Sequence, residues 1–128
     1  MNGTPLDEIV RVAAELRDVL AEIDRLNRRL GGGWSVDRET GEKVWLAGSE
    51  EVFKRAYLEA HTASVVKHGR TRTVAEHENA AQTAVLSDWA HWNADVYELR
   101  SAKEKAHSLR QILSSLQTAA RVESDLAR

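Results

Sequence analysis

Apolar residues recur at alternating spacings of three and four from Ile9 through Val12, Leu16, Val19, Ile23 and Leu26 to Leu30, which is the period of one face of an α-helix. Leu6, Ala13 and Leu20 widen the stripe on one side, while Glu15, Asp18, Glu22 and Arg25 hold the opposite face. Thr4 suits the N-cap and Pro5 the first helical position, and Asp7 and Glu8 favour the positive end of the helix dipole. Gly31-Gly32-Gly33 ends the pattern, since glycine reaches the left-handed conformation of a C-cap. The pattern predicts a helix over residues 5–30. Its seven-residue repeat, with β-branched Ile9 and Ile23, suits a bundle helix or a self-association seam.

The pattern then changes. Trp34 to Leu46 has two β-prone arms around Glu39-Thr40-Gly41, and predicts a short β-hairpin. With Val36 opposite Val44 and Trp34 opposite Leu46, Trp45 falls on the other side with Ser35 and Lys43, either as an exposed docking or base-stacking residue or buried against a neighbouring subunit or helix. Helical spacing resumes at Val52, Phe53, Ala56, Tyr57, Ala60 and Val65, predicting a helix over 50–67 that opens at Ser49 and ends at Gly69. Alanines at 56, 60 and 63, and at 75, 80, 81 and 84, permit close packing of this helix on the next as an antiparallel pair. From Thr73 onward no proline or glycine interrupts the chain. Thr73-Val-Ala-Glu76 has the form of a capping box, with the glutamate reaching back to the backbone. Trp89, Trp92, Val96 and Leu99, then Ala106, Leu109, Leu113, Leu116 and Ala120, continue one stripe. The expectation is one helix over 73–126, which at 1.5 Å per residue would run to roughly 80 Å and would have to meet other helices.

The fold class expected is therefore mostly α: a helical hairpin or coiled-coil bundle with a long C-terminal helix and a short β-hairpin insertion, in a single domain of 128 residues. Composition alters this little. A net charge of −2 argues against coating nucleic acid by bulk charge, so such binding needs a local patch. The absence of cysteine excludes disulfides, thiolate zinc sites and cysteine nucleophiles, and fits a reducing compartment. Without a signal-peptide pattern or a membrane-span window, the location expected is the cytoplasm.

The search for chemistry finds no enzyme motif and no cofactor site. The glycine run lacks the lysine and serine or threonine of a phosphate loop, and none of the five histidines lies in a metalloprotease pattern. Asp88, His91 and Asp95 share a helix face, but one helix cannot close a metal site. No small-molecule substrate is implied. The informative feature is a basic cluster, Lys54, Arg55, Lys67, Arg70 and Arg72, with the connection 67–72 just before a helix N-terminus that favours anions. Together with Trp45 these residues are the candidate nucleic-acid surface; the alternative is a solvated face with ordinary ion pairs. Arg100, Lys103, Lys105 and Arg110 form a weaker second group. Ile9, Leu16, Ile23 and Leu30, with Leu109, Leu113 and Leu116, are the candidate oligomer contacts.

Phe53-Lys-Arg-Ala-Tyr57 on one helix, a basic loop, Thr73-Val-Ala-Glu76 opening the next, Tyr97 with Lys103, and Leu113-Ser-Ser-Leu-Gln117 occur in an order that resembles small helical accessory proteins of tailed phages, and through them the UvsY-type recombination mediators. The resemblance covers about the C-terminal two-thirds and leaves out the first helix and the hairpin. It implies a non-enzymatic, self-associating phage or prophage protein in DNA recombination or replication, in a bacterial cytoplasm, binding single-stranded DNA or a recombinase. The alternative is a protein-only helical adaptor: a virion or assembly component, or an inhibitor of a host protein.

Overall fold

The computed structural model describes residues 4–127 and is mostly α, with a long C-terminal helix and one two-stranded antiparallel sheet. In chain order it forms α1 (Pro5–Gly31), β1 (Gly33–Val36), β2 (Lys43–Leu46), α2 (Ser49–His68), a 3-10 turn at Gly69–Thr71, α3 (Val74–Ala84) and α4 (Leu86–Leu126). Local chemistry fixes most of these boundaries. The Asp7 N–H donates to Thr4 Oγ1 at 3.2 Å and the Thr4 N–H donates to Asp7 Oδ2 at 3.1 Å, a reciprocal cap that opens α1. At α3 the Glu76 N–H donates to Thr73 Oγ1 at 3.2 Å. The carboxylate accepts a hydrogen bond from the threonine hydroxyl, at 3.2 Å, in place of the backbone N–H expected of a full capping box.

Gly32 ends α1 in the left-handed region, φ 83°, with its N–H donating to Arg28 O at 2.8 Å. A Cβ there would lie 2.6 Å from Leu46 O. Gly48, the N-cap of α2, is buried because the backbone of residues 30–32 passes over it; a Cβ would lie 2.2 Å from Leu30 O and 2.4 Å from Gly32 N. The end of α1 and the start of α2 thus meet where two glycines leave room for backbone.

Two expectations are corrected. The hairpin pairs Trp34 with Trp45, Ser35 with Val44 and Val36 with Lys43, one residue out of the register expected. The cause is the turn: the Asp37 N–H donates to Glu42 O and the Gly41 N–H to Asp37 O, each at 2.8 Å, closing a four-residue loop with Gly41 at φ 72°. Because side chains alternate faces, a one-residue shift changes every partnership. Trp45 is therefore not alone on its side but stands beside Trp34, ring centroids 5.4 Å apart, edge to face.

The second correction concerns the helix expected over 73–126, which is interrupted at Val85 (φ −114°, ψ 20°). Its N–H is shared between Ala81 O at 3.2 Å and Gln82 O at 3.3 Å, and the α-helical pattern resumes as the Trp89 N–H reaches Val85 O. Neither proline nor glycine causes the break. It allows α3 to bury His77 and Ala81 while Val85 is itself 4% exposed and Trp92, further on, stacks on Phe53 of α2.

The chain divides into two compact units: residues 4–25 with 98–127, and residues 26–97. In the first, α1 and α4 run antiparallel. Lys105 lies beside Glu15, Asp18 and Glu22, and Arg25 feels Glu98. Val12, Val19, Ala106 and Leu109 form their buried cluster, flanked by Leu16, Ile23, Leu113 and Leu116. In the second unit the chain returns along α2 as α3, and Leu26, Ala81 and Val85 are its buried apolar residues.

Candidate functional site

The residues grouped as a nucleic-acid surface land in two places. Lys54 Nζ is 2.7 Å from Glu50 Oε1 and Arg55 Nη2 is 3.2 Å from Glu51 Oε1, one turn back on α2 in each case. The Trp45 indole N–H donates to Glu51 Oε2 at 2.9 Å. These two cations and the tryptophan are thus tied to the acidic first turn of α2, where carboxylates also suit the helix dipole.

In the connection after α2, Arg72 donates to Ser64 Oγ at 3.1 Å, Ser64 Oγ lies 2.6 Å from His77 Nδ1, and His77 Nε2 lies 2.9 Å from Gly69 O. A carbonyl only accepts, so in the neutral ring Nε2 carries the proton and Nδ1 accepts from the serine hydroxyl. Ser64 and His77 are 7% and 6% exposed. This is a clasp joining α2 to α3, not an accessible nucleophile and base. The neighbouring His68 has its pKa lowered, first by desolvation and then by the charges of Arg72 and Lys67 and by His77. Lys67 and Arg70 remain exposed.

The same unit holds a second feature, an aromatic groove. Phe53 and Tyr57 are one turn apart on α2, and Trp89 and Trp92 one turn apart on α4; with Gln82 and Leu86 they line a groove of about 550 Å³. Phe53 stacks on Trp92 with centroids 5.0 Å apart and planes 17° from parallel. The ring series continues to Tyr57 at 6.3 Å from Phe53, and to His61 at 6.2 Å from Tyr57. Trp89 is 47% and Leu86 57% exposed. Helical spacing marked these rings as apolar positions. Their concentration, three of the chain's seven aromatics in 53–57 and 89 with a fourth at 92, was the available signal. By helical spacing Glu78 stands one turn before Gln82 and Asp88 one turn before Trp92, while on α2 the paired Glu50 and Lys54 stand one turn before Phe53 and Tyr57, so the neighbouring positions carry an excess of acid.

The candidate oligomer residues are largely occupied within the chain. Leu109 is buried, and Leu16, Ile23, Leu113 and Leu116 pack around the α1/α4 cluster, each half-buried; Ile9 and Leu30 are also half-buried. Of the second basic group, Lys105 sits among α1 carboxylates. Asp95, named with Asp88 and His91 as a ligand set, is 8% exposed and lies 3.7 Å from Arg29 Nη1. Among the described residues no group of three or more histidines and carboxylates could hold a metal ion, and no helix is long and apolar enough to cross a membrane. No protein-family model matches the chain, and the searches of curated proteins and of solved structures likewise gave no match.

Proposed function

We propose that this chain is a non-enzymatic helical adaptor whose groove between α2 and the start of α4 receives an amphipathic helix of a partner protein. The observation that carries the reading is Trp89, a large ring left 47% exposed in a groove walled by Phe53, Tyr57 and Trp92. A groove of about 550 Å³ is the size that buries a few apolar side chains. Rings with two rotatable bonds supply contact area at low entropic cost. Glu78 and Asp88 at its flanks favour lysine or arginine beside the partner's apolar anchors and oppose a phosphate backbone.

Action on single-stranded DNA in phage recombination is the second reading. It rests on the exposed Lys67 and Arg70 near the N-terminus of α3. It is weakened by the engagement of Lys54, Arg55 and Arg72 with neighbouring side chains.

Two probes decide between them. Tryptophan fluorescence of the full chain is titrated with an amphipathic leucine/lysine helix and with its leucine/glutamate counterpart. Anisotropy of a labelled oligothymidylate is followed at low and moderate salt. The adaptor reading expects saturable quenching by the lysine peptide, at least tenfold weaker binding of the glutamate peptide, and no DNA binding. DNA affinity that falls steeply with salt and is lost in Lys67→Ala/Arg70→Ala, without peptide binding, would replace it with the recombination reading.

A further inference from the structure

The α1/α4 pair has two long sides, and they differ in charge. Where Lys105 lies beside Glu15, Asp18 and Glu22, five carboxylates (with Glu8 and Glu98) face three cations, since Arg11 pairs with Glu15 and Arg25 with Glu22 on the same side. On this side α4 carries a second heptad stripe, one position before its buried one: Ser108, Ile112, Ser115, Ala119 and Val122, at spacings of four, three, four and three. Its middle opens as a groove of about 530 Å³ beside Leu116, with Ile112 48% and Val122 52% exposed. The other side is its converse. There α1 carries Leu6, Val10, Ala13 and Leu20, one position after its buried stripe, with Leu6 67% and Val10 61% exposed. The charged α4 positions on that side are Arg100, Lys103, Arg110 and Arg121, all exposed, with His107, Ser114 and Gln117 between them, and α1 adds Arg17 and Asp24.

We propose that these two sides bind each other between copies of the chain, the acidic side of one against the basic side of the next. A heptad stripe is the pattern a further helix covers, and Ser108, Ser115 and Ala119 let that helix come close. Each stripe spans about four turns, roughly 20 Å, so they match in length. The charges match in sign. A bare polyanion would satisfy the basic side but leave Leu6, Val10 and Leu20 uncovered, which favours a second copy. The contact is heterologous, joining different patches, so repetition gives a ring or a fibre. This inference is independent of the aromatic groove, which lies in the other unit.

Sedimentation equilibrium of the full chain tests it by complementation. Val10→Glu places a carboxylate on the basic side, facing the partner's acidic side. Ile112→Lys places a cation on the acidic side. Both positions are exposed, so circular dichroism should be unchanged. The wild type is expected to associate at hundreds of micromolar and to dissociate as salt is raised. Each variant alone is expected to be monomeric, and their equimolar mixture to form a 1:1 dimer through the one side each retains. A wild type that stays monomeric, association that neither substitution weakens, or a mixture that stays monomeric would overturn the proposal. So would a monomeric wild type whose basic side binds an oligothymidylate and loses it in Arg110→Glu/Arg121→Glu.

Discussion

At residue scale the connection after α2 links Arg72, Ser64, His77 and Gly69 in one run of hydrogen bonds. Ser64 donates to one histidine nitrogen, Gly69 O accepts from the other, and Arg72 donates to the serine oxygen. Removing one member would leave buried groups without partners, which typically costs about 1–3 kcal/mol. His68, beside this clasp, carries a lowered pKa because charging it means losing hydration and facing Arg72 and Lys67. Since its folded value lies below the ordinary 6.5, the neutral ring favours the folded state. Its contribution is present above that ordinary value and is lost as pH falls from there through the folded value. An NMR titration of the full chain should place the His68 midpoint below 6.5, and Arg72→Gln should raise it; a midpoint at or above 6.5 would refute the electrostatic account. The caps at Thr4 and Thr73 were legible because hydroxyl and N–H lie three residues apart. The clasp was not, since its partners are 13 and 8 residues apart and meet only when the chain folds back.

At the scale of elements, the sequence located α1, the hairpin, α2 and the outer limits of the stretch that forms α3 and α4 to within a residue or two, because spacing, caps and glycines act locally. Register and the helix break depended on more than local signals. A glycine in the left-handed region at position 41 selects a four-residue loop, and the loop sets Trp34 against Trp45. That pair is expected to show a coupling of about 0.5–1.5 kcal/mol in a double-mutant cycle with alanine, read by urea unfolding. Coupling of Trp34 to Leu46 with none to Trp45 would mean that the register is wrong. Nothing in Ala84-Val85-Leu86 spells a helix end. The interruption follows from two packing demands, α3 on α2 through His77 and Ala81 and α4 on α2 through Trp92, which a straight helix would have to meet with one face. The apolar stripes of α1 and α4 were visible. Only the fold shows that one stripe from each covers the other, while the adjoining stripes stay exposed.

At the scale of the molecule, each unit buries a small core and keeps a large apolar surface in reserve: the ringed groove in one, the paired stripes in the other. Contact with other chains is the function proposed for these surfaces, and the groove is where that proposal is most exposed to test. Trp92, half-buried and stacked on Phe53, is structural, and Trp92→Ala should cost about 3 kcal/mol or more. Trp89, by contrast, should matter to a partner more than to the fold. The decisive measurement is urea unfolding of Trp89→Ala alongside its titration with the leucine/lysine helix. The account predicts stability within about 1 kcal/mol of the wild type and binding weakened at least tenfold. A Trp89→Ala chain destabilised as much as Trp92→Ala, or one that binds the peptide as the wild type does, would contradict it.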